Sequence, residues 1–200
     1  TALAVYGCVL GYDLIADEMK DKELSELVKR IGLVEGMPVV TNPGIIDPEK
    51  FADEVINVRI PNPFMPDTPQ RIATDTSQKV GIRYGETIKS YVAKDGSARA
   101  LTAIPLAIAG WCRYLLGIDD NGEAFELSPD PMADELKCQL DGIVWGESSS
   151  YTGQLKNLLS NANIFGINLY EAGIGDKIEE MFVEEISGKG AIRETLKKYL

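Results

Sequence analysis

A chain of 200 residues that is 44% hydrophobic can bury one sizeable core. Its formal net charge of −11, with no cluster of Lys or Arg, argues against nucleic acid and anionic membrane surfaces as partners. It has no histidine at all, which excludes an imidazole base, a Ser-His-Asp triad or a histidine metal ligand within the chain.

The opening residues place Val5, Val9 and Tyr12 on one face, with Leu3, Leu10 and Leu14 close by. This is helical spacing. No capping residue announces the start, as though earlier turns of the helix lay upstream. Glu23 to Met37 reads as a second, amphipathic helix stopped by Pro38. Asn42-Pro43-Gly44 is a turn, and Asp47-Pro48-Glu49 supplies an N-cap, a proline at the first helical position and an acidic first turn for a helix to about Val58. The run Asn62 to Pro69 then breaks the chain with prolines at 63, 66 and 69. A helix is predicted from about Asp67, ending near Tyr91 or Ala93 before Lys94-Asp95-Gly96.

Ala98 to Leu116 reads as the most buried helix, with Pro105 either kinking it or marking its true first turn. Its apolar run Leu101 to Trp111 is too short to cross a hydrocarbon layer of ~30 Å. Asp120-Asn121-Gly122 is a tight turn, and Glu123 to Leu127 a short extended piece. Asp130-Pro131 opens a helix to about Leu140, residues 146–150 form a polar loop, and helices at about 151–161, 168–187 and 190–200 complete the chain. Period-two alternation is almost absent, so the fold class is mainly α, read as a single unit over residues 1–200.

Several motifs are structural on these grounds. Gly188 to Arg193 resembles a dinucleotide loop but follows an acidic helix where such a loop needs a strand, so it is a helix–helix turn. Gly146 to Gly153 lacks the Gly-Lys-Ser/Thr of a phosphate loop. Asp119 to Glu123 has consecutive rather than alternating oxygen ligands and reads as a surface turn, not a calcium loop. Cys8, Cys112 and Cys138 are too far apart for a paired-thiol zinc site and read as reduced thiols of a cytoplasmic protein. Trp111 and Tyr114 belong in the core, while Arg113 either pairs with a buried carboxylate or snorkels outward.

Arg71 and Lys79 are eight residues apart. On one helix that is about 800° of rotation and roughly 12 Å of rise, which points both cations from the same face. They form either an ordinary solvated face or a clamp for a small oxygen-rich ligand, since a guanidinium binds two oxygens with fixed geometry and an ammonium holds another.

The pattern Asn62-Pro63-x-x-x-Asp67-x-x-x-Arg71, followed by Lys79, together with Gly110-Trp111-Cys112-Arg113-Tyr114 and the turn ending at Gly122, resembles the C-terminal domain of the long-chain mannitol dehydrogenase family. The resemblance covers almost the whole chain and chooses the clamp. It implies a multi-helix domain of the 6-phosphogluconate-dehydrogenase-like type, with Arg71 and Lys79 binding distal substrate hydroxyls and Asn62, Pro63 and Asp67 shaping the site. It also implies an upstream Rossmann domain that binds NAD(P), no metal, and a Lys-x-x-x-x-Asn-x-x-His segment whose histidine directly precedes Thr1. That lysine is the family's general acid/base, so no catalytic residue is expected within this chain.

Mannitol/fructose is the preferred substrate pair on this resemblance. Hexuronate pairs such as mannonate/fructuronate or altronate/tagaturonate are the alternative. A competing reading is a non-enzymatic acidic helical module that binds a protein through Thr1 to Tyr12. Either way, that segment is expected to face a missing neighbour and to promote self-association of the chain.

Overall fold

The computed structural model describes residues Thr1–Leu200 and is almost entirely helical, the β content being one antiparallel bridge between Ile118 and Ala124. At its centre are α1 (Ala2–Leu10) and α8 (Ala103–Tyr114), which cross each other. Every residue of α8, and Ala2 to Val9 of α1, is buried. Close crossing needs a residue without a side chain. A Cβ on Gly110 would lie 2.3 Å from Cζ of Tyr6, so the Tyr6 ring occupies the space that any other residue there would fill.

The remaining elements wrap this pair. They are α2 (Ile15–Glu18), α3 (Lys22–Lys29), α4 (Pro48–Glu54), α5 (Pro69–Ile72), α6 (Thr76–Val80), α7 (Glu86–Asp95), α9 (Ala133–Gln139), α10 (Lys156–Leu159), α11 (Ala162–Phe165), α12 (Gly175–Glu185) and α13 (Ala191–Tyr199). Three helices pass into π-helical turns at Arg30–Gly36, Val55–Arg59 and Gly81–Gly85.

Pro105 sits in the first turn of α8, where its missing N–H costs nothing. The other first-turn amides need a partner, because the end of this helix is cut off from water. Glu35 provides it. One carboxylate oxygen accepts from Thr102 N at 2.6 Å and Ala103 N at 2.7 Å, and the other accepts from Ile104 N at 2.8 Å.

At the far end Arg113 is fully buried. It neither meets a carboxylate nor snorkels: Nη1 donates to the Ile118 carbonyl at 2.6 Å and Nη2 to the Asp119 carbonyl at 3.0 Å. Trp111 and Tyr114 are core residues, as expected, and Trp111 meets Phe165 edge to face at 5.8 Å.

Several expectations are corrected. The second helix runs through Pro38 to Val39 in a 3₁₀ turn, α2 is additional, and α9 begins at Ala133. Only residues 156–159 of the predicted 151–161 helix and 175–185 of 168–187 are helical, and turns occupy the rest. Thr1 to Tyr12 is not an exposed face. Val5 and Val9 are 0% and 1% exposed, so neither self-association nor protein binding can use them. The exposed apolar side chains gather between Val34 and Ile82, including Ile45 (87%), Phe64 (92%) and Ile82 (70%).

Replacing Glu35 with Ala leaves three amides without their acceptor. Each orphaned buried donor costs about 1–3 kcal/mol before relaxation, so urea unfolding of Glu35→Ala is expected to show a loss of at least about 2 kcal/mol. Glu35→Gln, which keeps an acceptor oxygen, should lose less.

Candidate functional site

Arg71 and Lys79 do not share a helix. The predicted continuous helix from Asp67 is broken after α5, at Ala73 to Asp75, and Asp75 adopts a left-handed conformation (φ 56°) that is uncommon outside glycine. The reason lies far away in sequence, in the loop after α8. The Asp130 carboxylate accepts from Ser77 N at 2.8 Å, Ser77 Oγ at 2.5 Å and Thr76 Oγ1 at 3.1 Å, so it caps α6 in place of Asp75. Pro129 O accepts from Asp75 N at 2.9 Å, and Gln70 O accepts from Ser128 Oγ at 2.7 Å. Burial alone would raise the Asp130 pKa, but these hydrogen bonds outweigh it and hold the carboxyl below its ordinary value.

Across the break Lys79 still reaches back to α5. Lys79, half-buried, donates from Nζ to the Ile72 carbonyl at 3.0 Å, next in the chain to Arg71. Arg71, 67% exposed, pairs with Asp67 through Nε, at 2.5 Å, and Nη2. In the preceding turn Asn62 Oδ1 accepts from Phe64 N at 2.9 Å across Pro63.

This cluster stands beside the N-terminal end of α1. Two clefts flank Thr1. One, of about 250 Å³, is walled by Arg59, Met65, Asp67 and Ile72. The other, of about 420 Å³, takes residues from all three π-helical turns, among them Ile31, Ile56 and Arg83. Such turns are rare and recur at functional sites. Arg83 lines this second cleft beside Thr1. Arg83 was not foreseen; its signal is Gly81-x-Arg83-x-Gly85. Cβ atoms on Gly81 and Gly85 would fall 2.0 and 2.1 Å from the carbonyl oxygens of Ile164 and Phe165, so both glycines press on α11 and Arg83 lies about half a turn away from them.

Glu18 was also missed. It is fully buried beside Gly7 and Pro69, with neither carboxylate oxygen hydrogen-bonded. Burial pushes its pKa up to about 9.

A larger concavity, about 880 Å³, lies elsewhere, at the turn between α12 and α13. There Arg193 pairs with Asp21 and Lys198 with Glu184. The glycines of that turn do not fit a dinucleotide: no strand precedes them, and Asp120 Oδ2 already accepts from Gly190 N at 3.0 Å. No three His, Cys, Asp or Glu side chains come together as metal ligands. No helix is long and apolar enough to cross a membrane.

The sequence model of the mannitol dehydrogenase C-terminal domain matches residues 1–186. The chain belongs to this family. Among relatives of the mannitol dehydrogenase domain, the D-mannonate oxidoreductase of Thermotoga maritima is 55% identical over 99% of the chain and 37% of its own length. The D-mannonate oxidoreductase of Escherichia coli is 31% identical over 68% of the chain and 27% of its own length. Pseudomonas fluorescens mannitol 2-dehydrogenase, solved as a ternary complex with NAD and D-mannitol, superposes with a TM-score of 0.82 at 22% identity, covering 98% of this chain and 37% of that one. The domain therefore spans little more than a third of the length of these proteins, or less.

An unfolded chain releases the Glu18 proton near the ordinary value of 4.5, whereas the folded chain holds it up to about 9. Between those values the folded state binds more protons, so its stability falls as pH rises. Urea unfolding at about pH 5 and about pH 9 is expected to show this decline, and Glu18→Gln to reduce it and to be the more stable protein at the alkaline end.

Proposed function

We propose that this chain is the substrate-side domain of a longer NAD(P)-dependent oxidoreductase that interconverts a secondary alcohol and a ketone on a sugar acid of the mannonate/fructuronate kind. The observation that carries this reading is the 55% identity to a D-mannonate oxidoreductase over 99% of the chain. This supports the sugar-acid pair over mannitol/fructose, because the likeness to mannitol 2-dehydrogenase is one of fold, at 22% identity.

The chain offers no dinucleotide loop and no histidine. The family resemblance assigns the cofactor and the proton-transferring lysine to an upstream Rossmann domain and its connecting segment, which would meet this domain through exposed apolar side chains between Val34 and Ile82. No metal is required by this reading.

The role of the domain is to grip and orient. Lys79 uses one of its three N–H donors on Ile72 and keeps two, while Arg71 uses Nε and Nη2 on Asp67 and keeps Nη1 free. Both can therefore donate to distal hydroxyls without giving up the contacts that aim them. Pre-aimed donors lower the ordering cost of binding.

The 200-residue chain alone should fold and show no turnover, whereas the full-length polypeptide should oxidise D-mannonate with NAD⁺ or NADP⁺ in a dehydrogenase assay. Faster oxidation of D-mannitol than of D-mannonate would restore the polyol reading.

In the full-length protein Arg71→Ala should lower kcat/KM by about one to three orders of magnitude, since each charge-assisted hydrogen bond contributes about 1.5–3 kcal/mol. Its fold should be untouched, because the exposed Arg71–Asp67 pair is worth no more than about 1 kcal/mol. Lys79→Ala should cost less activity than Arg71→Ala but also some stability through Ile72, and the double variant should be non-additive in kcat/KM. An Arg71→Ala enzyme within about twofold of wild type would remove the clamp.

A further inference from the structure

We propose that Arg83 binds the carboxylate of the sugar-acid substrate and so sets the preference for acids over neutral polyols. This rests on the functional reading above.

Four cations belong to this region: Arg59 and Arg83 line the two clefts beside Thr1, and Arg71 and Lys79 lie on α5 and α6. Three are engaged. Arg59 pairs with Glu54 at 2.8 Å, Arg71 with Asp67, and Lys79 with the Ile72 carbonyl. Arg83 has no carboxylate within ion-pair distance and no side-chain hydrogen bond, although Asp and Glu outnumber Lys and Arg by 31 to 20 in this chain. Of the other arginines only Arg99 likewise has no side-chain partner, and it lines neither cleft, so the location of Arg83 beside a cleft gives it a use.

Its placement is determined by its neighbours. Gly81 and Gly85 press against the carbonyls of α11. Tyr84 is buried. The π-helical turn is thereby locked on the side away from Arg83, which is left exposed on the wall of the 420 Å³ cleft. Lys79 precedes it by four residues on the same run of helix. The two charges thus lie about one turn apart along that run, Lys79 held against α5 and Arg83 on the cleft wall.

The division of labour follows from the chemistry. An ammonium and a guanidinium already holding a carboxylate can each spare donors for hydroxyls. A free guanidinium is the planar fork that a carboxylate accepts in bidentate fashion. A neutral polyol has no group to match it, and would leave the fork to water.

The test uses the full-length polypeptide and its Arg83→Gln and Arg83→Lys variants, assayed with D-mannonate and D-mannitol, with Kd by calorimetry wherever turnover is too slow to measure. Arg83→Gln should lower kcat/KM or affinity for D-mannonate by about 10- to 100-fold, mainly in KM. Its values for D-mannitol and its KM for the dinucleotide should stay within about twofold of wild type. Arg83→Lys should retain part of the acid preference, because a point charge replaces the fork incompletely. Equal losses on acid and polyol overturn the proposal in favour of a structural role, and a raised dinucleotide KM overturns it in favour of phosphate binding. D-mannonate turnover unchanged in Arg83→Gln overturns it alone. A wild-type enzyme that acts on neither substrate overturns the functional reading and this inference with it.

Discussion

A helix without a polar face has to be enclosed on every side. Ala2 to Val9 is such a helix, buried throughout its length, and the rest of the fold is arranged to enclose it. Helix α8 crosses it where Gly110 admits the Tyr6 ring, α5 and α2 close another side, and α3 a third. Thr1, next to this helix, lines two clefts. Residues distant in sequence line them too, because the elements that enclose the helix meet there.

Burying two helices so completely forces their polar neighbours into unusual states. Glu35 serves as a cap to α8, and Arg113 satisfies two turn carbonyls rather than a carboxylate. Glu185 is fully buried, its Oε1 2.5 Å from the Tyr6 hydroxyl, which also reaches the Leu106 carbonyl at 2.8 Å. One hydroxyl proton cannot serve both acceptors. A Glu185 that keeps its proton resolves the conflict by donating to Tyr6, which then donates to Leu106. This agrees with burial raising the Glu185 pKa to about 8. Protonation here is a product of packing, not of local sequence.

The site shows the same dependence on distant partners. A helix carrying Arg71 and Lys79 eight residues apart would align them by periodicity alone. The actual chain interrupts the helix at Asp75, and Asp130, Pro129 and Ser128 hold the two pieces by hydrogen bonds across more than fifty residues. Left-handed strain at a non-glycine residue persists only when its surroundings impose it, and the Asp130 cap does so. The angle between the Arg71 and Lys79 helices is thus set by a loop that touches neither cation.

The sequence by itself determined the helical class, the buried stretch around Trp111, the proline-rich turn at Asn62 and Pro63, and the residue pattern that names the family. These are carried by apolar periodicity, turn chemistry and motif spacing, all of which act within a few residues. Tertiary structure alone decided the break at Asp75, the burial of α1, the unpartnered Glu18 and the freedom of Arg83. Whether a helix continues depends on which acceptor reaches its amides, and whether a charge is paired depends on which elements enclose it. Both are long-range outcomes. The two glycines flanking Arg83 were visible from the start, but their meaning required α11 to be in place, because a missing side chain declares its purpose only when something occupies the space.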